Sequence, residues 1–180
     1  MIRPTATWLL LVLILVSSNP LSAQDWPCFG GDSERTFSTK AHLTFPLKEV
    51  WTWQSPATPQ PAWPEPGREL HRIDFDFCFE PVIAAGLVLF GSSADDSVHA
   101  LDIQSGRPVW TFSTGGPIRF APAIDKASCF FASDDGFLYC LDLKTGELKW
   151  KFRGGPNDRM VIGNGRLISR WPLRSGVLVQ

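Results

Sequence analysis

The sequence predicts an all-β chain of β-propeller blades, each a sheet of four antiparallel strands, with two blades complete and partial blades flanking them. Three observations support this. The segment Ala100 to Trp110, ALDIQSGRPVW, returns forty residues later as CLDLKTGELKW, Cys140 to Trp150. The runs between the copies are short and β-rich, and a period of about forty residues with one turn signature per copy is the spacing of propeller blades. Hydrophobic residues at 44% and charged ones at 19% describe an ordinary folded chain. A closed ring has at least four blades, roughly 160 residues of blade sequence, so a chain with two full repeats is expected to be an N-terminal fragment.

The elements follow in order. Residues 1–23 read as a signal peptide: Arg3 is basic, Trp8 to Val16 is an unbroken apolar stretch, and Leu21-Ser22-Ala23 ends on a small residue. That stretch is about half the ~20 residues of a membrane span, and Gln24 stands where a lipoprotein would need Cys. The protein is therefore expected to be exported, periplasmic or extracellular, with no membrane span after cleavage. Its near-neutral charge, −1, predicts no nucleic-acid partner. Residues 24–46 form an extension expected to pack under the ring. Residues 47–180 form the partial propeller, opening with a strand at 47–53 (Leu47 to Trp53) that reads as the last strand of a blade. The loop 54–72 carries prolines at 56, 59, 61, 64 and 66, which forbid helix or inner strand.

The two blades are assigned to 76–113 and 117–153. Asp102 and Asp142 end apolar strands, where a short carboxylate accepts hydrogen bonds from amides two or three residues on. Ser105 and Thr145 add a hydroxyl bond, and Gly106 and Gly146 supply the positive φ of a hairpin loop. Trp110 and Trp150, alternating with Phe112 and Phe152, are expected to fill the wedge between neighbouring sheets. Ala100, or Cys140 in the second copy, is the small residue of the pattern. Phe137 to Leu141 is apolar on both faces, whereas Leu148 to Phe152 alternates, so the fourth strand is expected outermost. The innermost strands are expected at Phe75 to Ala84 and Ile118 to Ile124. The insertion 157–174 carries Arg159, Arg166, Arg170 and Arg174 against Asp158 alone, and reads as either a solvated face or an anion-attracting loop at one mouth of the ring. Residues 175–180 resemble the first strand of another blade.

The pattern AxDxx[ST]GxxxW resembles the tryptophan-docking motif of pyrroloquinoline-quinone (PQQ) type β-propeller repeats. The turns Gly91 to Asp96 and Ala132 to Gly136, and the opening Asp25-Trp26-Pro27-Cys28-Phe29-Gly30-Gly31, are also similar to that family. The resemblance implies a secreted or periplasmic non-catalytic scaffold that binds other proteins, similar to the propeller subunit of the outer-membrane β-barrel assembly machinery. It equally admits a fragment of a quinoprotein dehydrogenase using PQQ with Ca²⁺, or one module of a larger enzyme or sensor. The dehydrogenase would need Glu and Asn/Asp metal ligands, a catalytic Asp and a Trp floor, and no such constellation is recognisable. The reading thus leans away from an enzyme and names no catalytic, cofactor-binding or metal residues.

Two charges near the middles of the expected inner strands, Glu80 and Arg119, are the candidate channel contacts for a ligand, with a structural ion pair or solvated wall as the alternative. Four cysteines allow a disulfide in an oxidising compartment. A turn centred between Asp134 and Asp135 would set Cys129 opposite Cys140, and one built on Asp135-Gly136 would misalign them.

Overall fold

The computed structural model describes residues 25–62, 76–163 and 165–180. The expected signal peptide, most of the Pro-rich stretch beyond Ala62, and Phe75 lie outside these residues. Among them there is no helix. The first sheet contains β1 (Val82–Ala84), β2 (Leu87–Ser92), β3 (Ser97–Asp102) and β4 (Pro108–Ser113). The second contains β5 (Ala123–Asp125), β6 (Ser128–Ala132), β7 (Phe137–Asp142) and β8 (Leu148–Arg153). Each is antiparallel with strands in sequence order, so the fourth strand is outermost, as the alternation of Leu148 to Phe152 predicts. A hairpin of β9 (Met160–Gly163) and β10 (Arg166–Ser169) follows.

Local chemistry sets these boundaries. The β1–β2 hairpin turns through Ala85 and Gly86, both at positive φ (51° and 78°), the twist a two-residue loop requires. Pro81 and Pro122 lack the N–H a ladder needs, so β1 and β5 begin only after them and are three residues long. The inner strands are thus shorter than expected, and Glu80 and Arg119 lie in the segments leading into them. After β3 and β7, Asp102 Oδ1 accepts from Ser105 N (2.8 Å) and Asp142 Oδ1 from Lys144 N (3.0 Å) and Thr145 N (3.1 Å). Gly106 and Gly146 follow at φ 66° and 72°.

The core lies between the two sheets, and Trp110 closes it. Its indole is 9% exposed and donates through Nε1 to Leu143 O at 3.0 Å. A Cβ on Gly146 would sit 2.6 Å from that ring, so the glycine serves the docking as well as the turn. Phe112 packs beside it against Phe131 and Tyr139, whose rings stack at 5.2 Å. The same device recurs upstream: Trp51 Nε1 donates to Ile103 O at 2.9 Å, and its ring lies over Gly106.

Four expectations need correction. Leu47 to Trp53 joins no sheet among the described residues; only Trp51 takes up its docking place. Residues 175–180 likewise form no strand, since neither segment has a described strand to pair with. Trp150 is not buried like Trp110: it is 44% exposed and Phe152 64%, because among the described residues no turn of a following sheet covers them. The β6–β7 pairing sets Phe130 opposite Cys140 and Cys129 opposite Leu141, one residue away from each anticipated register, because the loop is centred on Asp135. Cys129 and Cys140 are accordingly free, buried thiols, and burial pushes the Cys129 thiol well up.

Candidate functional site

The N-terminal segment runs along the inner edges of both blades. Trp26 and Ile83 exchange backbone hydrogen bonds of 2.7 and 2.9 Å, and Ile124 N donates to Pro27 O at 2.7 Å. The extension expected to pack under the ring is therefore bonded to β1 and β5, where it occupies otherwise free sheet edges.

Above these edges a charged cluster forms around Asp134, which is completely buried. Asp134 Oδ2 accepts from Arg119 Nε (2.8 Å) and Arg174 Nη2 (2.9 Å), and Oδ1 accepts from Arg174 Nε (2.9 Å), a two-point guanidinium contact. Arg119 Nη1 also donates to Asp76 Oδ2 and to Gln60 O (2.6 Å). Gln60 N in turn donates to Ser93 Oγ at 2.9 Å, tying the Pro-rich segment to the first blade. Asp76 is pushed up to about 6, chiefly by burial, against the opposing pull of a Ser93 hydrogen bond and of Arg119. A second pair lies nearby: Arg166 Nη1 is 3.0 Å from Asp96 Oδ1 and donates to Ser93 O. The contact with Asp96 is an ion pair by distance without hydrogen-bond geometry, and burial raises the Asp96 carboxyl.

The arginine-rich insertion is therefore neither wholly solvated nor a free anion trap. It carries the hairpin β9–β10, Ser169 N donates to Asp134 O at 2.8 Å, and Arg166 and Arg174 are matched by the half-buried Asp96 and the buried Asp134. Of the two candidate channel residues, Arg119 is a cluster member. Glu80 stands apart: Oε2 accepts from Ala121 N at 2.9 Å, beside a cavity of about 150 Å³ lined by Phe29, Arg35, Phe120, Ala121 and Gly176.

Asp76, Asp134 and Gln60 were not singled out as site residues from sequence. One signal was available: Pro117-Ile118-Arg119 recurs as Pro172-Leu173-Arg174, and both arginines converge on Asp134. Its partner Asp135 does the turn work expected of the pair, accepting from Gly115 N and Phe137 N at 3.0 Å and from the Tyr139 hydroxyl.

Known proteins share this architecture. The family model described as outer membrane protein assembly factor BamB matches residues 48–173. The 1-butanol dehydrogenase (cytochrome c) of Thauera butanivorans is 27% identical over 111 residues, covering 47% of this chain and 16% of that protein. Outer membrane protein assembly factor BamB of Bordetella pertussis is 28% identical over 94 residues, covering 51% of this chain and 24% of that protein. The quinohemoprotein alcohol dehydrogenase of Comamonas testosteroni has the same fold, with a TM-score of 0.56 at 21% identity over 73% of this chain and 19% of that one. The chain thus spans less than a quarter of each of these proteins. With its repeated docking turn, its two four-stranded sheets and the match across 48–173, the chain belongs to the PQQ-like propeller repeat family described as outer membrane protein assembly factor BamB.

Proposed function

We propose that the chain contributes to an exported, periplasmic propeller that has no catalytic role and acts as a scaffold for other proteins. The observation that carries this reading is the use made of its inner charges. Arg119 and Arg174 are neutralised by Asp134 and Asp76, and Glu80 holds a backbone amide. These groups fasten the Pro-rich segment and the hairpin to the blades.

The same residues fit PQQ with Ca²⁺ poorly. Ca²⁺ takes about six to eight oxygen ligands, whereas the oxygens of Asp76 and Asp134 already accept from guanidinium groups. Among the described residues no three His, Cys, Asp or Glu side chains gather as a metal site. The cations that the cofactor's carboxylates would require are the same paired arginines. Contact surface, by contrast, is plentiful: Trp150 and Phe152 on β8, and Phe45, Leu47 and Val50 on the extended segment, are exposed.

The likeness to the 1-butanol dehydrogenase favours a second reading, a piece of a PQQ/Ca-dependent dehydrogenase or a propeller module of a larger enzyme or sensor. Titration of the full chain with PQQ and Ca²⁺, followed by absorbance and dye-linked alcohol oxidation, separates the two. No saturation and no turnover is the expected result; saturable micromolar binding with turnover overturns the scaffold. Export is tested by expression and fractionation, with a shortened chain expected in the periplasm and an unprocessed cytosolic chain counting against it.

A further inference from the structure

The cavity beside Glu80 carries two opposite charges that do not satisfy each other. The Arg35 guanidinium lies 5.9 Å from the Phe29 ring centroid, and among the described residues it makes no ion pair. Glu80 gives one oxygen to Ala121 N, while its other oxygen takes no hydrogen bond among the described residues. Both side chains line the same 150 Å³ space, with Phe29 and Phe120 as its apolar walls.

The surrounding backbone holds this arrangement in place. Gly30, at φ 85°, lets the chain fold back until Arg35 Cα is 2.7 Å from where a Cβ would stand. Arg35 N donates to Asp32 O and Phe37 N to Gly30 O. The nearby Asp32 carboxylate accepts from Thr36 N and Oγ1 rather than from the Arg35 guanidinium. Glu80 is placed by Pro81 at the start of β1, and Phe120 and Ala121 by the equivalent run before β5.

A ligand for this space must offer an anion to Arg35 and a cation to Glu80 on a small apolar body. A cavity of this volume holds a benzene-sized molecule. A guanidinium takes a carboxylate at two points, and a carboxylate flanked by aromatic faces takes an alkylated or protonated amine. We propose that this cavity binds a small zwitterion, an amino acid or betaine of about that size, with its carboxylate on Arg35 and its ammonium between Glu80 and the phenylalanine rings. The site is separate from the Asp134 cluster and stands or falls independently of the scaffold reading.

Calorimetric titration of the full chain with L-proline and with glycine betaine tests this, with tetramethylammonium and isobutyrate as half-ligands. Saturable binding by a zwitterion, at least tenfold weaker for either half-ligand, is the expected result. Arg35→Gln and Glu80→Gln are each expected to weaken it tenfold or more. Glu80→Gln keeps a carbonyl oxygen for Ala121 N, and Arg35 lies on the exposed segment, so an unchanged melting temperature certifies the fold of each. The proposal is overturned if no zwitterion saturates below about 10 mM, a standard free energy weaker than about −2.7 kcal/mol. It is equally overturned if binding survives in both variants, which would put the ligand elsewhere.

Discussion

Replacing Trp110 by Ala tests the joint between the two blades most directly. The indole is 9% exposed, lies over Gly146 and donates to Leu143 O. Removing a buried aromatic of this size costs about 3 to 5 kcal/mol, and the orphaned carbonyl of Leu143 adds roughly 1 kcal/mol. For a chain of this length each kcal/mol moves the melting temperature by roughly 2–4 °C. A fall of at least about 6 °C by circular dichroism is therefore expected. Trp150→Ala is the internal comparison, because its indole is 44% exposed and docks on no described turn; it should cost about 1 kcal/mol or less. Equal losses for the two variants would refute the docking argument, since the repeat treats the tryptophans alike and only the neighbouring sheet distinguishes them.

Four further outcomes are expected. Asp134→Asn leaves Arg119 and Arg174 without their shared anion and should cost about 3 to 5 kcal/mol in urea unfolding, against within about 0.5 kcal/mol for exposed Asp158→Asn. Asp76, raised to about 6, keeps its proton in the native state while the unfolded chain loses it, so its contribution to stability falls as pH rises from about 4 to 6; wild type minus Asp76→Asn should slope downward there, and a flat difference would contradict the assignment. Under native conditions an alkylating reagent should label exposed Cys78 first and reach Cys129 and Cys140 only on unfolding; rapid modification of either buried thiol would count against the core packing. Trp51→Ala vacates the docking place over Gly106 and should produce head-to-tail oligomers in light scattering that vanish when Trp150→Ala is added.

The legible part of the fold was the part determined by local chemistry. Asp102-x-x-Ser105-Gly106 and its copy specify a turn through hydrogen bonds within five residues, so turn, register and flanking strands could be read together. Proline is legible too, and its missing N–H shortens the inner strands: Pro81 and Pro122 delay β1 and β5 until after Glu80 and Arg119. What stayed hidden was long-range. Asp134 and Asp135 are chemically identical in sequence, yet one folds into the turn and the other receives arginines 15 and 40 residues away. The cysteine register lies one residue from either expected one because Asp135 alone sits at the loop centre, where it bonds to Gly115 and Tyr139.

The docking device has a direction, and that direction limits how copies of the chain can associate. Each docking tryptophan reaches the turn of the sheet that follows it in sequence: Trp110, on the fourth strand β4, reaches Gly146, and Trp51, in a segment paired with no described strand, reaches Gly106. Both described turns are therefore filled from within the same chain. Among the described residues Trp150 docks on no turn, and a second copy offers it no vacant described turn, because intramolecular docking holds Trp51 at a high effective concentration over its own glycine. The exposed indole and the Phe152 beside it are therefore expected to find no open docking turn on a second copy while Trp51 is in place, and removing Trp51 should open one without altering the face that Trp150 presents.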